Sequence, residues 1–324
     1  MDYTRLGKTG LEVSRICFGT MSFGKKTETR PWVLGIEDAR PMYRAAWEGG
    51  INFFDTANVY AAGTSEEITG ALLKELAPRD EFVLATKVFG RMRPGPNGAG
   101  LSRTAILSEI DHSLKRLGMD YVDLYQIHRY DPATPFEETM EALHDVVRMG
   151  KARHIGASSM YVWQFLKYQR AAEVNGWTKF VSMQNQVSLV YREEEREMLP
   201  LCRADGIGVL PWSPLGGGKV ARPWGTKTDR STTDRFNKTM YEDTEANDRE
   251  IVDAIGTVAT ARGVSMAEVA MAWVLQKDGV SAPIVGVSRL AHLEAALKAV
   301  ELRLSAEEIA ALEAPYRPRV VSGF

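Results

Sequence analysis

The sequence predicts an α/β fold, a single (β/α)8 TIM barrel, and three observations carry that prediction. Eight short apolar runs, residues 15–19, 51–55, 82–87, 122–128, 153–157, 180–184, 207–212 and 283–287, punctuate the 324-residue chain. Most of the stretches between them repeat apolar residues at helical spacing and have readable helix ends. The runs are apolar on both faces, as strands of a parallel sheet covered by helices must be, and eight βα units are the number that closes such a sheet. An open doubly wound sheet is the competing arrangement, but no G-x-G-x-x-G turn follows a strand here.

Taken in order, residues 3–6 and 11–13 flank Gly7-Lys8-Thr9-Gly10 and form an N-terminal β-hairpin ahead of the barrel. Ser65-Glu66-Glu67 opens a helix over 68–76, which Pro78 closes. Ser102 opens one over 106–117, with Ile106, Ile110, Leu114 and Leu117 on one face and Gly118 at its end. Thr134-Pro135 precedes a helix over 136–149, the proline standing where its missing N–H costs nothing. Residues 265–276, 289–300 and 305–312 are helical by the same criteria, so extra helices follow at the C-terminal end. Residues 216–247 lack such periodicity and are rich in Gly, Thr, Arg and Asp, which makes them a long lid loop. No repeat or linker interrupts the chain, and residues 1–324 read as one domain.

With 40 Lys+Arg against 42 Asp+Glu and a net charge of -2, the chain has no basic excess for a nucleic-acid partner. Residues 1–8 are polar and charged, and no run approaches the roughly 18 apolar residues of a span, so no membrane partner is expected and the location is cytoplasmic. Cys17 and Cys202 sit in apolar contexts and read as buried thiols of a reducing compartment. His112, His144 and His154 have no paired ligand, so no metal site is expected. The run from Glu193 to Glu197 reads as a solvated helix start, and Asn237-Lys238-Thr239 as a coincidental sequon. Gly216-Gly217-Gly218-Lys219 is no nucleotide-triphosphate loop, because Val220 stands where a Ser or Thr is needed. Nothing specifies an oligomer, and a monomer is the default.

The ends of the apolar runs bring Asp55, Lys87 and His128 on consecutive strands, with Tyr60 in the loop after the first. A barrel places its site at these strand ends. The set handles protons without a metal and suits proton donation to a carbonyl oxygen. A phenol is too weak an acid unaided, and an adjacent ammonium favours its phenolate. Lys87 supplies that charge, Asp55 holds Lys87, and His128 orients the carbonyl by a hydrogen bond.

Asp55 with Tyr60, Ala85-Thr86-Lys87 and Leu124-Tyr125-Gln126-Ile127-His128 resemble the catalytic tetrad of the aldo-keto reductases. Gly19-Thr20-Met21, Ile155-Gly156-Ala157-Ser158-Ser159, Trp212-Ser213-Pro214-Leu215 and Gly286-Val287-Ser288-Arg289 are similar to that family's cofactor motifs, in order. Ala314-Pro315-Tyr316-Arg317-Pro318 and residues 180–200 resemble the bacterial YajO-type branch, which is related to the potassium-channel β-subunit branch. The resemblance implies an NADP(H)-dependent oxidoreductase acting on small-molecule carbonyl or alcohol substrates. It gives Tyr60 the role of general acid, with Asp55 and Lys87 tuning it. Ser158, Ser159 and Gln184 then hold the nicotinamide carboxamide and Trp212 stacks on the ring. Ser213, Leu215, Gly217 and Lys219 line the pyrophosphate, while Ser288 and Arg289, with His292 nearby, meet the adenosine 2′-phosphate. Ser159 departs from the family's usual Asn, the adenine side around His292 and Ala295-Ala296 matches incompletely, and Met21 replaces an aromatic common in the substrate pocket. The alternative implied by the channel-subunit relatives is a regulatory or redox-sensing protein that binds cofactor with little turnover.

Overall fold

The computed structural model describes residues 1–28, 31–226, 240 and 244–323. A hairpin of β1 (Tyr3–Arg5) and β2 (Glu12–Ser14) leads into β3 (Cys17–Gly19) and α1 (Ile36–Glu48). Then follow β4 (Phe53–Asp55), α2 (Thr64–Leu76), β5 (Val83–Val88), α3 (Arg103–Leu117), β6 (Val122–Ile127) and α4 (Phe136–Arg148). The second half runs β7 (Ala152–Ser158), α5 (Val162–Asn175), β8 (Phe180–Gln184), α6 (Met198–Asp205) and β9 (Gly208–Val209). It finishes with α7 (Glu245–Arg262), α8 (Met266–Leu275), β10 (Ile284–Gly286), α9 (Leu290–Ala299) and α10 (Ala306–Glu313). No single helix among the described residues is long and apolar enough to cross a membrane.

The eight strands β3 to β10 form one parallel sheet in the order β10-β3-β4-β5-β6-β7-β8-β9. It closes where Val209 bridges Val280 and the Ile284 N–H donates to the Pro211 carbonyl at 2.8 Å. The expected (β/α)8 barrel is therefore present, with its N-terminal hairpin. The hairpin forms the floor: buried Leu6 and Val13 pack with Cys17, Phe53, Val83, Leu124, Leu210 and Ile284, and the Lys8 N–H donates to the Gly206 carbonyl at 2.8 Å. A second, larger apolar cluster lies between strands and helices. Apolar burial on this scale is the main drive to fold, and here it also leaves only the upper half of the barrel for polar groups.

Helix ends follow the side chains. Ser102 accepts from the Ala105 N–H at 3.3 Å, and Ser265 and Ser305 form capping boxes with Glu268 and Glu308. Pro135 is the N-cap of α4. The run at 207–212 yields only a two-residue strand, yet the Leu210 and Trp212 N–H groups still donate to the Met183 and Asn185 carbonyls at 2.9 Å each. The chain keeps following β8, and the regular ladder breaks before Ser213, which has a φ of 50°. The loop expected over 216–247 is shorter at both ends. Gly216–Ala221 is a 3-10 turn and Glu245 already opens α7, while 227–239, with the Asn237 sequon, and 241–243 lie outside the described residues.

Glu193 and Glu194 correct another expectation, because both are buried rather than solvated. Glu193 accepts from the Tyr316 hydroxyl at 2.7 Å and the Arg319 N–H at 2.8 Å, and pairs with Arg196 at 2.8 Å. These bonds anchor the C-terminal tail, which continues across the rim. Arg319 donates to Asp248 Oδ1 at 2.8 Å, the Ser322 N–H donates to the Tyr191 hydroxyl at 3.3 Å, and Gly323 lies against the Trp212 ring. Cys17 and Cys202 are free and buried, as expected.

Glu194 accepts from Asn185 Nδ2 at 3.1 Å, with no cation on it among the described residues. Burial pushes its pKa from the ordinary 4.5 to about 7, against the Asn185 hydrogen bond and with the help of the Glu193 charge. The folded state thus holds this proton more tightly than the unfolded chain. The stability it contributes is complete below about pH 4.5 and is lost as the pH rises through about 7. Glu194→Gln should therefore raise the melting temperature at pH 8 and change it little at pH 5; an equal shift at both would contradict the assignment.

Candidate active site

A buried ammonium needs three acceptors, and Lys87 has them. Its Nζ donates to Asp55 Oδ1 at 2.5 Å, to the Thr56 carbonyl at 2.8 Å and to the Tyr60 hydroxyl at 3.2 Å. Lys87 on β5 is fully buried and Asp55, the last residue of β4, is nearly so. The second Asp55 oxygen accepts from Gln126 Nε2 at 3.0 Å and Gln184 Nε2 at 2.9 Å, and Gln184 also donates to Gln126 Oε1 at 3.1 Å. Burial works to depress the Lys87 pKa, but the charges of Asp55 and Tyr60 and its bonds to both outweigh it, and the pKa ends raised. The side chain stays an ammonium.

Room for this polar layer comes from small neighbours. Gly156 pairs with Gln126 on one side and Ser182 on the other, and a Cβ there would lie 2.3 Å from Ser182 Oγ. Tyr60 opens a 3-10 turn, Tyr60–Gly63, in which Ala61 and Ala62 have φ of 47° and 55°. Left-handed residues with a Cβ cost on the order of 1 kcal/mol each. Phe89, Ser159 and Ser213 share this strain, and all stand just beyond strand ends on the same rim. The His128 ring meets Tyr60 edge-on, centroids 5.7 Å apart. Burial, then the charges of Lys87 and Arg129, hold the His128 pKa well below its ordinary value, so the imidazole is neutral at neutral pH.

A second group lies over the ends of β7 to β10. Ser158 and Ser159 are buried with their hydroxyls 3.4 Å apart, and Trp212 Nε1 donates to Ser159 Oγ at 3.0 Å. The turn after Leu215 takes Gly216, Gly217 and Gly218 through φ of 55°, 65° and 93°, a path only glycine follows without strain. Lys219 on this turn pairs with buried Asp248 at 3.0 Å, so much of its charge is already matched. Arg222 donates to the Gly218 carbonyl at 3.0 Å, and burial and the charge of Arg289 lower its pKa. Neither Arg222 nor Arg289 has a carboxylate partner among the described residues. Two unmatched guanidinium groups beside a glycine turn fit the phosphates of a dinucleotide. Arg289 is the N-cap of α9, and Ser288 Oγ lies 3.5 Å from His292 Nδ1 on the same end.

Three expected residues stand apart from these groups. Thr20 is fully buried, and its N–H and hydroxyl both donate to the Asp55 carbonyl, at 2.9 and 3.0 Å, so it fastens β3 to β4 beneath the site. Gly19 pairs with Asp55 and Gly286 in the sheet, where a Cβ would come 2.7 Å from Ile284. Met21 is half-buried beyond them. Gln126, Arg129 and Arg222 are the additions the structure makes. Gln126 alone had a readable signal, being two residues before His128 and hence on the same inward face.

The chain matches the model of the aldo/keto reductase family over residues 15–317. It is 43% identical to the versiconal hemiacetal acetate reductase of Aspergillus parasiticus, covering 99% of this chain and 98% of that protein. An aldo-keto reductase of Fusarium vanettenii is 42% identical over 100% of this chain and 93% of its own length. One from Alternaria alternata is 40% identical over 99% and 93%. With a barrel, a polar layer at its strand ends and a family match over nearly its whole length, the chain belongs to the aldo/keto reductase family.

Proposed function

We propose that the protein reduces an aldehyde or ketone to the alcohol with NADP(H), or runs the reverse direction on a sugar or secondary alcohol. The observation that carries this reading is the bridge of Lys87 between Asp55 and the Tyr60 hydroxyl. A bound reduced nicotinamide supplies the hydride. Tyr60 gives its phenolic proton to the carbonyl oxygen, and Lys87 stabilises the phenolate left behind. Asp55, with Gln126 and Gln184 on its other oxygen, keeps Lys87 aimed at Tyr60. Neutral His128 directs an N–H at the carbonyl oxygen.

On the cofactor side, Ser158, Ser159 and Gln184 hold the carboxamide and Trp212 covers the ring. The Gln184 amide donates to Asp55, which leaves its oxygen to accept from the carboxamide. Ser213, Leu215, Gly217 and Lys219 line the path of the pyrophosphate, with Gly19, Met21 and Gly286 as further cofactor contacts. Ser288, Arg289 and His292, joined by Arg222, receive the 2′-phosphate. The reductase names of the fungal relatives support carbonyl reduction; none of those named here is of the bacterial YajO type, so the branch is better sought among fungal reductases.

Tyr60→Phe should cut the rate of carbonyl reduction by about 10²- to 10⁴-fold while cofactor binding persists. Steady-state turnover and a fluorescence titration with NADPH measure the two; unchanged turnover would remove the mechanism. Arg289→Ala should weaken NADPH by roughly ten- to a hundredfold and NADH far less. Equal losses for both cofactors would mean that the 2′-phosphate is not read there.

A further inference from the structure

Arg129 follows His128 at the end of β6. It belongs to the β4 to β6 side of the rim that delivers the proton-handling residues, apart from the strand ends where Ser159, Trp212 and Arg222 gather. Its side chain is half-buried, and burial lowers its pKa while the Tyr60 phenol acts in the opposite sense. The same guanidinium helps keep His128 neutral. Arg129 therefore stands within electrostatic reach of both groups that face the carbonyl.

A cation drawn out of water is ordinarily matched by a carboxylate, since leaving it unmatched costs several kcal/mol. Three other withdrawn arginines follow the rule, Arg79 with Asp123 at 2.6 Å, Arg116 with Glu66 at 2.6 Å and Arg319 with Asp248 at 2.8 Å, whereas Arg222 at the glycine turn and Arg15, which donates to the Leu275 carbonyl, have no carboxylate among the described residues. Arg129 has no carboxylate partner among the described residues. Among the described residues its one hydrogen bond runs from Nη1 to the carbonyl of His128 at 2.6 Å. The Nε and Nη2 edge is left, and that edge grips a carboxylate by two parallel bonds. Lys87 offers no competing attraction, because Asp55 already balances it. Arg129 thus brings a guanidinium that has no carboxylate on it, among the described residues, next to the carbonyl-orienting imidazole.

We propose that Arg129 is a substrate-binding residue and that the carbonyl compound it selects carries a carboxylate near the reacting carbon. This rests on the reading of Tyr60 as proton donor to a carbonyl. The ion pair fixes one end of the substrate, so the carbonyl oxygen is held between Tyr60 and His128 rather than found by chance.

The test compares 4-carboxybenzaldehyde with its methyl ester in wild type, Arg129→Gln and Arg129→Lys, by kcat/KM with NADPH. Wild type should favour the acid. Arg129→Gln should lower the acid-to-ester ratio by roughly ten- to a hundredfold, and Arg129→Lys, which keeps the charge without the fork, by an intermediate factor. A ratio unmoved by either substitution overturns the proposal, whatever happens to the absolute rates. Benzoate binding followed by calorimetry gives a readout free of turnover. If wild type reduces neither aldehyde but binds benzoate, and Arg129→Gln loses that binding, the anion site stands and the reductase reading fails. If both aldehydes are reduced while benzoate binding and the ratio ignore Arg129, the reading stands and the anion site fails. Should Arg129→Gln not fold, the Arg129→Lys ratio and its benzoate affinity decide alone.

Discussion

A lysine ammonium buried at the centre of a barrel is stable only if each of its N–H bonds finds an oxygen. Lys87 finds three, on Asp55, Thr56 and Tyr60, and these come from one short segment that turns over the rim after β4. The requirement propagates outward. Asp55 is the carboxylate that faces the ammonium, so its far oxygen needs donors of its own, and Gln126 and Gln184 supply them from β6 and β8. Gly156 must lack a side chain so that the layer fits. Thr20 must bind the Asp55 carbonyl from β3 to hold the strand end in place. Five strands thus converge on one charge.

The barrel below is arranged to protect that layer. Leu6, Val13 and the inward apolar residues of several strands fill the lower half, so water reaches the polar groups only from the rim. Above, strain is concentrated in Ala61, Ala62, Phe89, Ser159 and Ser213, which together cost several kcal/mol. The strain at Ala61 and Ala62 is held by Thr64 Oγ1, which donates to the Ala61 carbonyl at 2.8 Å. The Tyr60 hydroxyl is consequently positioned by a rigid turn rather than by a free loop, which matters because proton transfer requires placement within tenths of an ångström. On the opposite side of the rim, Arg222 and Arg289, with no carboxylate partner among the described residues, give the site a cationic flank, while Lys219 is tied to Asp248 and through it to Arg319 and the C-terminal tail.

What was legible in the sequence was what strand periodicity and strand ends reveal. Asp55, Lys87 and His128 each end or follow an apolar run, so their meeting at one rim follows from the barrel itself. Capping serines such as Ser102, Ser265 and Ser305 were equally readable, because a cap depends on residues within three positions. Glu193 and Glu194 look solvated in the sequence and are buried, since their partners Asn185, Tyr316 and Arg319 meet them only in the fold. The helix α1 carries Pro41 inside it, against the local rule, and tertiary burial of Met42, Tyr43 and Ala46 overrides the loss of one hydrogen bond. Arg129 and Arg222 stand out only by having no carboxylate partner among the described residues, a property of three-dimensional neighbours that no local pattern encodes.

If the Lys87 bridge is the organising interaction, Asp55 contributes to chemistry only through Lys87. The direct measurement is a double-mutant cycle on the rate of aldehyde reduction, with Asp55→Asn and Lys87→Met alone and combined. The bridge predicts that the double variant is no slower than Lys87→Met, within about twofold of it. Losses that multiply would show that the two residues act independently and would contradict the account.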